Sequence, residues 1–514
     1  MGGVLSLRPA TSYHFRIVAQ NEIGMSGPSD TVTIETSEEA PSGPPVDIRL
    51  AAVDQHTLRV SWKPPLKEHW NGDIVGYYVG YKKTSISEDK PYYFETVEFI
   101  KEQGHEHQLQ ISNLEVFTEY AIVVQAFNRM GQGPLSEEVL VHTAEGAPTR
   151  PPADVSLTTL SATSMKVTWS SPPVASANGV IKGYKIIYGP SKNWYDPATR
   201  NTKISSDTKT ELTNLMKYTN YTIQVLAFTN GGDGVLTEVL TATTEQDIPG
   251  PPSSVKALAM SDDSILVSWK FPEEPNGDVV QYTVYIKELD RSKETSAKSY
   301  KVPALQMNYH VNNLNSKSRY EFWVTAHTSI GEGSPSTKAT LTPSSRVPAK
   351  IASFDETFVI PAKRTVKLPC IAVGSPSPDL NWKVNEREMV KSDRVRLLPD
   401  GSLQITNVSK DDAGTYKCLV NNKFGQDMVT HQLIVNGPPE PPMVILTSQT
   451  TDSITFKLRP NEEDSTPIHG YVVHYKPEFS DWKKEEISFN VDEYTLHHLW
   501  CGQGYQLYVI AYNE

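Results

Sequence analysis

One pattern recurs along the chain and decides its architecture: Leu-x-x-x-Thr/Ser-x-Tyr followed by alternating apolar residues. It occurs as Leu7…Thr11-Ser12-Tyr13, Leu114…Thr118-Glu119-Tyr120, Leu215…Thr219-Asn220-Tyr221 and Leu314…Ser318-Arg319-Tyr320, and more loosely as Leu499…Gly504-Tyr505. The first four tyrosines lie about 100 residues apart, the size of one small β-sandwich. Each opens a stretch of period 2, so that Tyr120, Ile122, Val124 and Ala126 share one strand face, as do Tyr221, Ile223, Val225 and Ala227. A tyrosine at the head of such a strand fits a tyrosine corner: the ring fills the core while the hydroxyl bonds upstream backbone.

A second landmark keeps step with the first. Trp62, Trp169 and Trp269 each close a short apolar strand and run into proline-containing turns. Asn71-Gly72, Asn178-Gly179 and Asn276-Gly277 then supply the positive φ angles of tight turns. Gly43-Pro44-Pro45, Arg150-Pro151-Pro152, Gly250-Pro251-Pro252 and Pro438-Pro439 read as stiff joints, because proline cannot continue a central strand.

These landmarks resemble fibronectin type III modules and imply an all-β tandem array of β-sandwiches. The expected division is residues 1–36 (last strands only), 41–146, 147–247, 248–343 and 438–514 (stopping before its last strand). Residues 346–436 differ: Cys370, Trp382 and Asp412-Ala413-Gly414-Thr415-Tyr416-Lys417-Cys418 resemble an immunoglobulin domain of the I-set, with Tyr416 as its own corner. That resemblance implies a Cys370–Cys418 disulfide, worth about 4 kcal/mol in the chain-entropy account. It also implies an oxidising compartment, the alternative being two buried thiols in a cytosolic protein. Asn220-Tyr221-Thr222 and Asn407-Val408-Ser409 are N-glycosylation sequons; alternation places Asn220 towards solvent, and Asn407 falls in a turn.

Composition excludes several functions. A net charge of -12 disfavours nucleic acid as a partner. No stretch approaches the roughly 20 apolar residues of a membrane span, and Met1-Gly2-Gly3-Val4 is no signal peptide, so a partial sequence with its membrane anchor downstream is expected. Gly131-Gln132-Gly133 and Gly331-Glu332-Gly333 read as hairpin turns rather than phosphate loops, since no helix follows. Ser136, in the turn after the first of these, is expected to tolerate alanine. His105 and His107 share a strand face without further ligands and read as surface residues rather than a metal site. No catalytic motif, cofactor fingerprint, Arg-Gly-Asp tripeptide or heparin-binding run appears, the basic pair Lys363-Arg364 being too short. Cys501 is either a buried free thiol or has a partner beyond residue 514.

The order of four fibronectin modules, one immunoglobulin module and fibronectin again resembles that of the Down syndrome cell adhesion molecule (Dscam) family. Ser345-Arg346-Val347-Pro348-Ala349-Lys350-Ile351, Val429-Thr430-His431-Gln432-Leu433 and Pro467-Ile468-His469-Gly470-Tyr471 resemble its arthropod branch. The resemblance implies a single-pass neuronal receptor of homophilic recognition, neurite self-avoidance and axon guidance, with immune roles in arthropods. Its partners would be other cell-surface proteins and guidance ligands, with the homophilic contacts in modules outside this chain. This stretch would be a membrane-proximal spacer, not an enzyme, and the immunoglobulin insertion is where a bend is expected. The competing readings are a cytosolic sarcomeric ruler and the ectodomain of a receptor-type phosphatase.

Overall fold

The computed structural model describes all residues except 1, 85–89, 102–105, 290–294, 463, 465 and 514. Strands form the array, and short 3-10 turns such as Lys67–His69 and Val174–Ser176 are the only helical segments among the described residues. No helix among them is long and apolar enough to cross a membrane.

Each complete fibronectin-like module pairs a three-stranded sheet with a larger one. In the second module Val46–Ala52, Leu58–Lys63 and His107–Ile111 face Val139–His142, Glu119–Asn128, Gly76–Lys83 and Tyr93–Glu98. The same order returns in the third and fourth modules. Their cores collect the alternating residues of both inner faces, with Trp62, Trp169 and Trp269 buried edge-on or tilted against Tyr77, Tyr184 and Tyr282. Burial of such large rings dominates the stability of a sandwich this small.

The immunoglobulin-like module has a five-stranded sheet in which Glu356–Pro361 runs parallel to Gly425–Asn436. Cys370 and Cys418 are disulfide-bonded between the sheets. Trp382 packs in the same core, its indole N–H donating to Gly401 O at 3.0 Å.

At the two ends the packing thins. Ser12–Phe15 pairs only with Val32–Glu35, so Tyr13 has no facing sheet and is half-buried. Tyr505 is likewise half-buried, because its strand pairs with Gly470–Pro477 on one edge only. Both tyrosines were expected in a core, and neither is fully enclosed.

The array does not run straight. Ser344 N–H donates to Ser261 O at 3.1 Å at one end of the fourth module. The Lys270 ammonium reaches Asp355 O at 3.4 Å towards the other end. The immunoglobulin module therefore lies alongside the fourth module, pointing back along it. The bend expected at this insertion is a complete reversal.

Candidate functional site: the joints between modules

The corner tyrosines close each sandwich in the same way. Tyr120, Tyr221, Tyr320 and Tyr505 hydroxyls accept the backbone N–H of Glu115, Met216, Asn315 and Trp500, at 3.0, 2.8, 2.8 and 2.8 Å. Tyr13 accepts from Arg8 N–H at 2.8 Å even in its thin sheet. Tyr416 reverses the sense and donates to Asp412 O at 2.6 Å.

Three successive joints share one clamp. A linker residue (Glu39, Gly146 or Asp247) donates its N–H to the carbonyl of Asn71, Asn178 or Asn276, at 2.9, 2.8 and 2.7 Å. Its own carbonyl accepts from Asn128 Nδ2, Thr229 Oγ1 or Thr328 Oγ1, at 2.7, 2.6 and 2.8 Å. The next carbonyl, of Ala40, Ala147 or Ile248, accepts from the same asparagine's Nδ2 at 3.0 Å each time. Those asparagines sit at φ of 51–53°, a backbone region they tolerate because their short side chains bond locally. The Asn-Gly loops thus do more than turn the chain: they hold the linker.

Proline completes the clamp, upstream of the Pro-Pro pairs that mark the joints in the sequence. Pro41, Pro148 and Pro249 press on Gly133, Gly234 and Gly333, where a Cβ would approach Pro41 Cβ to 2.9 Å, Pro148 Cβ to 2.8 Å and Pro249 O to 2.1 Å. Only glycine admits so close an approach. The preceding module grips the same linker: Ala144 N–H donates to Asp54 O at 3.3 Å and Phe117 N–H to Ala144 O at 3.1 Å. At the next joint Lys217 pairs with Asp247 at 2.7 Å and Tyr218 Oη donates to Asp278 at 3.0 Å. With both neighbours bonded to adjacent linker residues, these joints are stiff.

The joint into the immunoglobulin module is a lateral dock. Lys256 Nζ donates to Ile351 O at 3.1 Å and Ser353 O at 2.7 Å, with Phe354 stacked 4.5 Å from the ammonium. Burial lowers the Lys256 pKa, while Asp427 and Asp355 pull the other way. Ser268 Oγ donates to Ala352 O at 2.8 Å. Beside these bonds Leu266, Ala352 and Val373 form an apolar cluster with Leu258, Met260 and Ile371.

No feature singled out in the sequence pointed to this dock, yet a signal was there. Leu58-Arg59-Val60 and Met165-Lys166-Val167 alternate buried and exposed, whereas Ile265-Leu266-Val267 is buried throughout. An apolar residue stands where the second and third modules carry an exposed cation. The register gives the outward partner as well, since Leu266 pairs with Leu258 while Arg59 pairs with Ala51 and Lys166 with Thr158.

The joint out of the immunoglobulin module is polar and partly open. Lys410 meets Asp464 at 3.2 Å, Glu440 N–H donates to Asp464 at 2.7 Å, and Asn513 Nδ2 to Gly437 O at 2.8 Å. Burial opposes ionisation of Asp464, but bonds from Thr466, Glu440 and Lys410 outweigh it and hold the carboxyl well below the usual range.

Three expectations are corrected. His107 is not a surface residue: it is 2% exposed, packed among Trp62, Tyr77 and Phe99, because it sits opposite Trp62 on the inner face. His105 lies outside the described residues. Ser136 is no neutral turn residue, since its hydroxyl accepts Val124 N–H at 2.9 Å, as Thr237 and Ser336 do for Val225 and Val324. Cys501 is free but exposed rather than buried, lying in the turn before Tyr505. Asn220 and Asn407 are both exposed, the former accepting Thr243 Oγ1 at 3.3 Å. Among the described residues no group of three or more His, Cys, Asp or Glu could hold a metal ion.

Such joints and sandwiches define a class: a tandem array of interaction modules. The fibronectin type III domain family matches residues 43–142, 150–243, 250–342 and 437–514, and the immunoglobulin I-set domain family matches residues 350–435. The cell adhesion molecule Dscam1 of Drosophila melanogaster is 50% identical over 511 residues, 99% of this chain and 25% of that protein. Dscam2 of the same organism is 37% identical over 520 residues, and human DSCAM 35% over 517, covering 99% of this chain and 24% and 25% of those proteins. The crystal structure of chicken CNTN1 FN1-FN3 domains overlaps 59% of this chain and 99% of its own at 22% identity, with a TM-score of 0.26, too low to speak for module arrangement. The chain is composed chiefly of fibronectin type III domains and belongs to the Dscam family of cell adhesion molecules. It spans about a quarter of the length of the curated relatives it matches.

Proposed function

We propose that this chain is a membrane-proximal, direction-setting part of an adhesion receptor's ectodomain. It serves homophilic recognition, self-avoidance and axon guidance by modules outside it. The observation that carries this reading is the linker clamp repeated at the entry to the second, third and fourth modules, whose last two copies join those three modules into a stiff rod. A rod transmits position and orientation, which distant recognition modules need to meet a partner on an opposing membrane. The names of the relatives, all cell adhesion molecules, support the reading, and the partners are other cell-surface proteins. An extracellular location is supported by the disulfide and by the exposure of Asn220 and Asn407, both proposed to carry N-glycans.

Beads coated with residues 41–436 are expected not to aggregate with one another, whereas beads carrying a full ectodomain of the family aggregate. Clustering by the short segment would place adhesive contacts here and overturn the spacer reading. Treating the secreted segment with an enzyme that trims N-glycans should shift its mass through Asn220 and Asn407. An unshifted mass would count against the extracellular location.

A further inference from the structure

The reversal at the immunoglobulin module brings the last module back beside the third, and the two touch. The ring of Tyr195 stacks on His469 with centroids 3.7 Å apart and planes 2° from parallel. Phe489 meets the same ring edge-on at 5.8 Å. Tyr195 belongs to the third module's loop 191–200, and His469 and Phe489 flank the last module's strands Gly470–Pro477 and Lys483–Ser488.

The loop that presents Tyr195 is braced from within its own module. Arg200 Nε donates to Trp194 O at 3.0 Å while the guanidinium lies 4.2 Å from the Trp194 ring centre. Thr199 Oγ1 donates to Asn193 O at 2.7 Å, and Asp196 accepts Ala198 N–H at 2.9 Å. None of these bonds involves the last module, so the loop holds its shape whether or not its partner is seated. On the other side, His469 N–H donates to Tyr512 O at 2.8 Å, which fixes the backbone that carries the stacked ring. Two prepared surfaces meet, and neither loses much freedom in meeting.

The two contacts that shape the hairpin differ in kind. The dock between the fourth and immunoglobulin modules buries an ammonium on two carbonyls, a serine hydroxyl bond and an apolar cluster. The clasp rests on three half-buried rings. Between dock and clasp the last module hangs on Gly437-Pro438-Pro439 and the polar contacts of Lys410 and Asp464, which water can replace. Modules joined through small polar contacts move relative to one another unless a large apolar interface prevents it.

We propose that the braced loop 191–200 is an interaction surface whose partner is the last module of the same chain, and that the pair acts as a releasable latch. The dock stays shut while the clasp opens and closes, so the segment has a folded and an extended form that share one fixed elbow. Opening swings the last module about Pro438-Pro439 and redirects whatever follows it, without unfolding any sandwich.

Electron–electron resonance distances on the full chain test this, with Cys501→Ser as background. Spin labels at Lys192→Cys and Asn490→Cys, both exposed positions near the clasp, report the latch. Labels at Glu273→Cys and Thr357→Cys, exposed beside the dock, report the elbow. The expected result is a short clasp distance together with a longer minor population. Tyr195→Ala should move the ratio about tenfold towards the long distance, and Tyr195→Phe, which keeps the ring, should leave it closed. The dock distance should be the same in all three proteins. A clasp distance indifferent to Tyr195→Ala, a parent chain showing only the long distance, or a dock that opens together with the clasp would each overturn the latch.

Discussion

Leu266→Lys puts into the fourth module the kind of residue that its neighbours carry at the same strand position, where Arg59 and Lys166 are exposed. The fourth module should therefore accept it. The dock should not. Leu266 is 6% exposed beneath Ala352 and Val373, so about 1.5–3 kcal/mol of burial disappears with its side chain. The apolar cluster offers the new ammonium no partner, and a charge stranded there costs roughly a further 3–5 kcal/mol. Together these come to about 4.5–8 kcal/mol, a shift of more than about a thousandfold towards the undocked form. Small-angle scattering of the full chain should show a larger radius of gyration and maximum dimension. A urea melt of the isolated fourth module should move within about 0.5 kcal/mol, as for other exposed substitutions. An unchanged scattering profile would show that the reversal does not depend on this cluster. A collapsed module would show that Leu266 serves the sandwich rather than the dock.

Tyr221→Phe should destabilise the third module by about 1–3 kcal/mol, because Met216 N–H loses its acceptor, and Lys192→Ala, on an exposed loop, should stay within about 0.5 kcal/mol; urea melts compare them. Burial lowers the pKa of His107 below its ordinary 6.5, so the unfolded chain binds the extra proton and the second module loses stability as pH falls below that value; full stability is present above it. Urea midpoints of residues 41–146 at pH 7.5 and 5.5 should show this loss, and His107→Phe, which keeps an aromatic ring beside Trp62, should flatten it. Non-reducing peptide mapping should find Cys370 joined to Cys418 while Cys501 alkylates without denaturant, and Cys501 bonded to either would contradict the fold.

The repeat that made the sandwiches legible is a consequence of local physics. A tyrosine or tryptophan at a fixed place in an alternating strand has one good destination, and period 2 says which neighbours go with it. Hence Trp62, Trp169, Trp269, Trp382 and Tyr120, Tyr221, Tyr320 and Tyr416 could be placed in cores from sequence, and they are buried. The same reasoning failed for His107, because composition marks histidine as polar while its position opposite Trp62 makes it a core ring. It failed for Ser136 because a hydroxyl that caps a neighbouring strand looks like any turn serine until the strand is in place.

The sequence by itself determined the kind of module and their order, since each is written within about 100 residues as a strand pattern with fixed landmarks, and the cysteine pairing followed only from the resemblance to an immunoglobulin domain. It also carried the linker clamp in its Asn-Gly pairs, but without the prolines and glycines those asparagines act beside, the pattern reads only as turns. Direction was left to the tertiary structure. Whether the array runs on or doubles back depends on which outward faces meet, and outward faces obey no periodic rule. Leu266 in place of Arg59 or Lys166 is one substitution in a solvent face until the immunoglobulin module covers it. Tyr195 and His469 are far apart in sequence and share no pattern, and only the reversal puts one ring on the other.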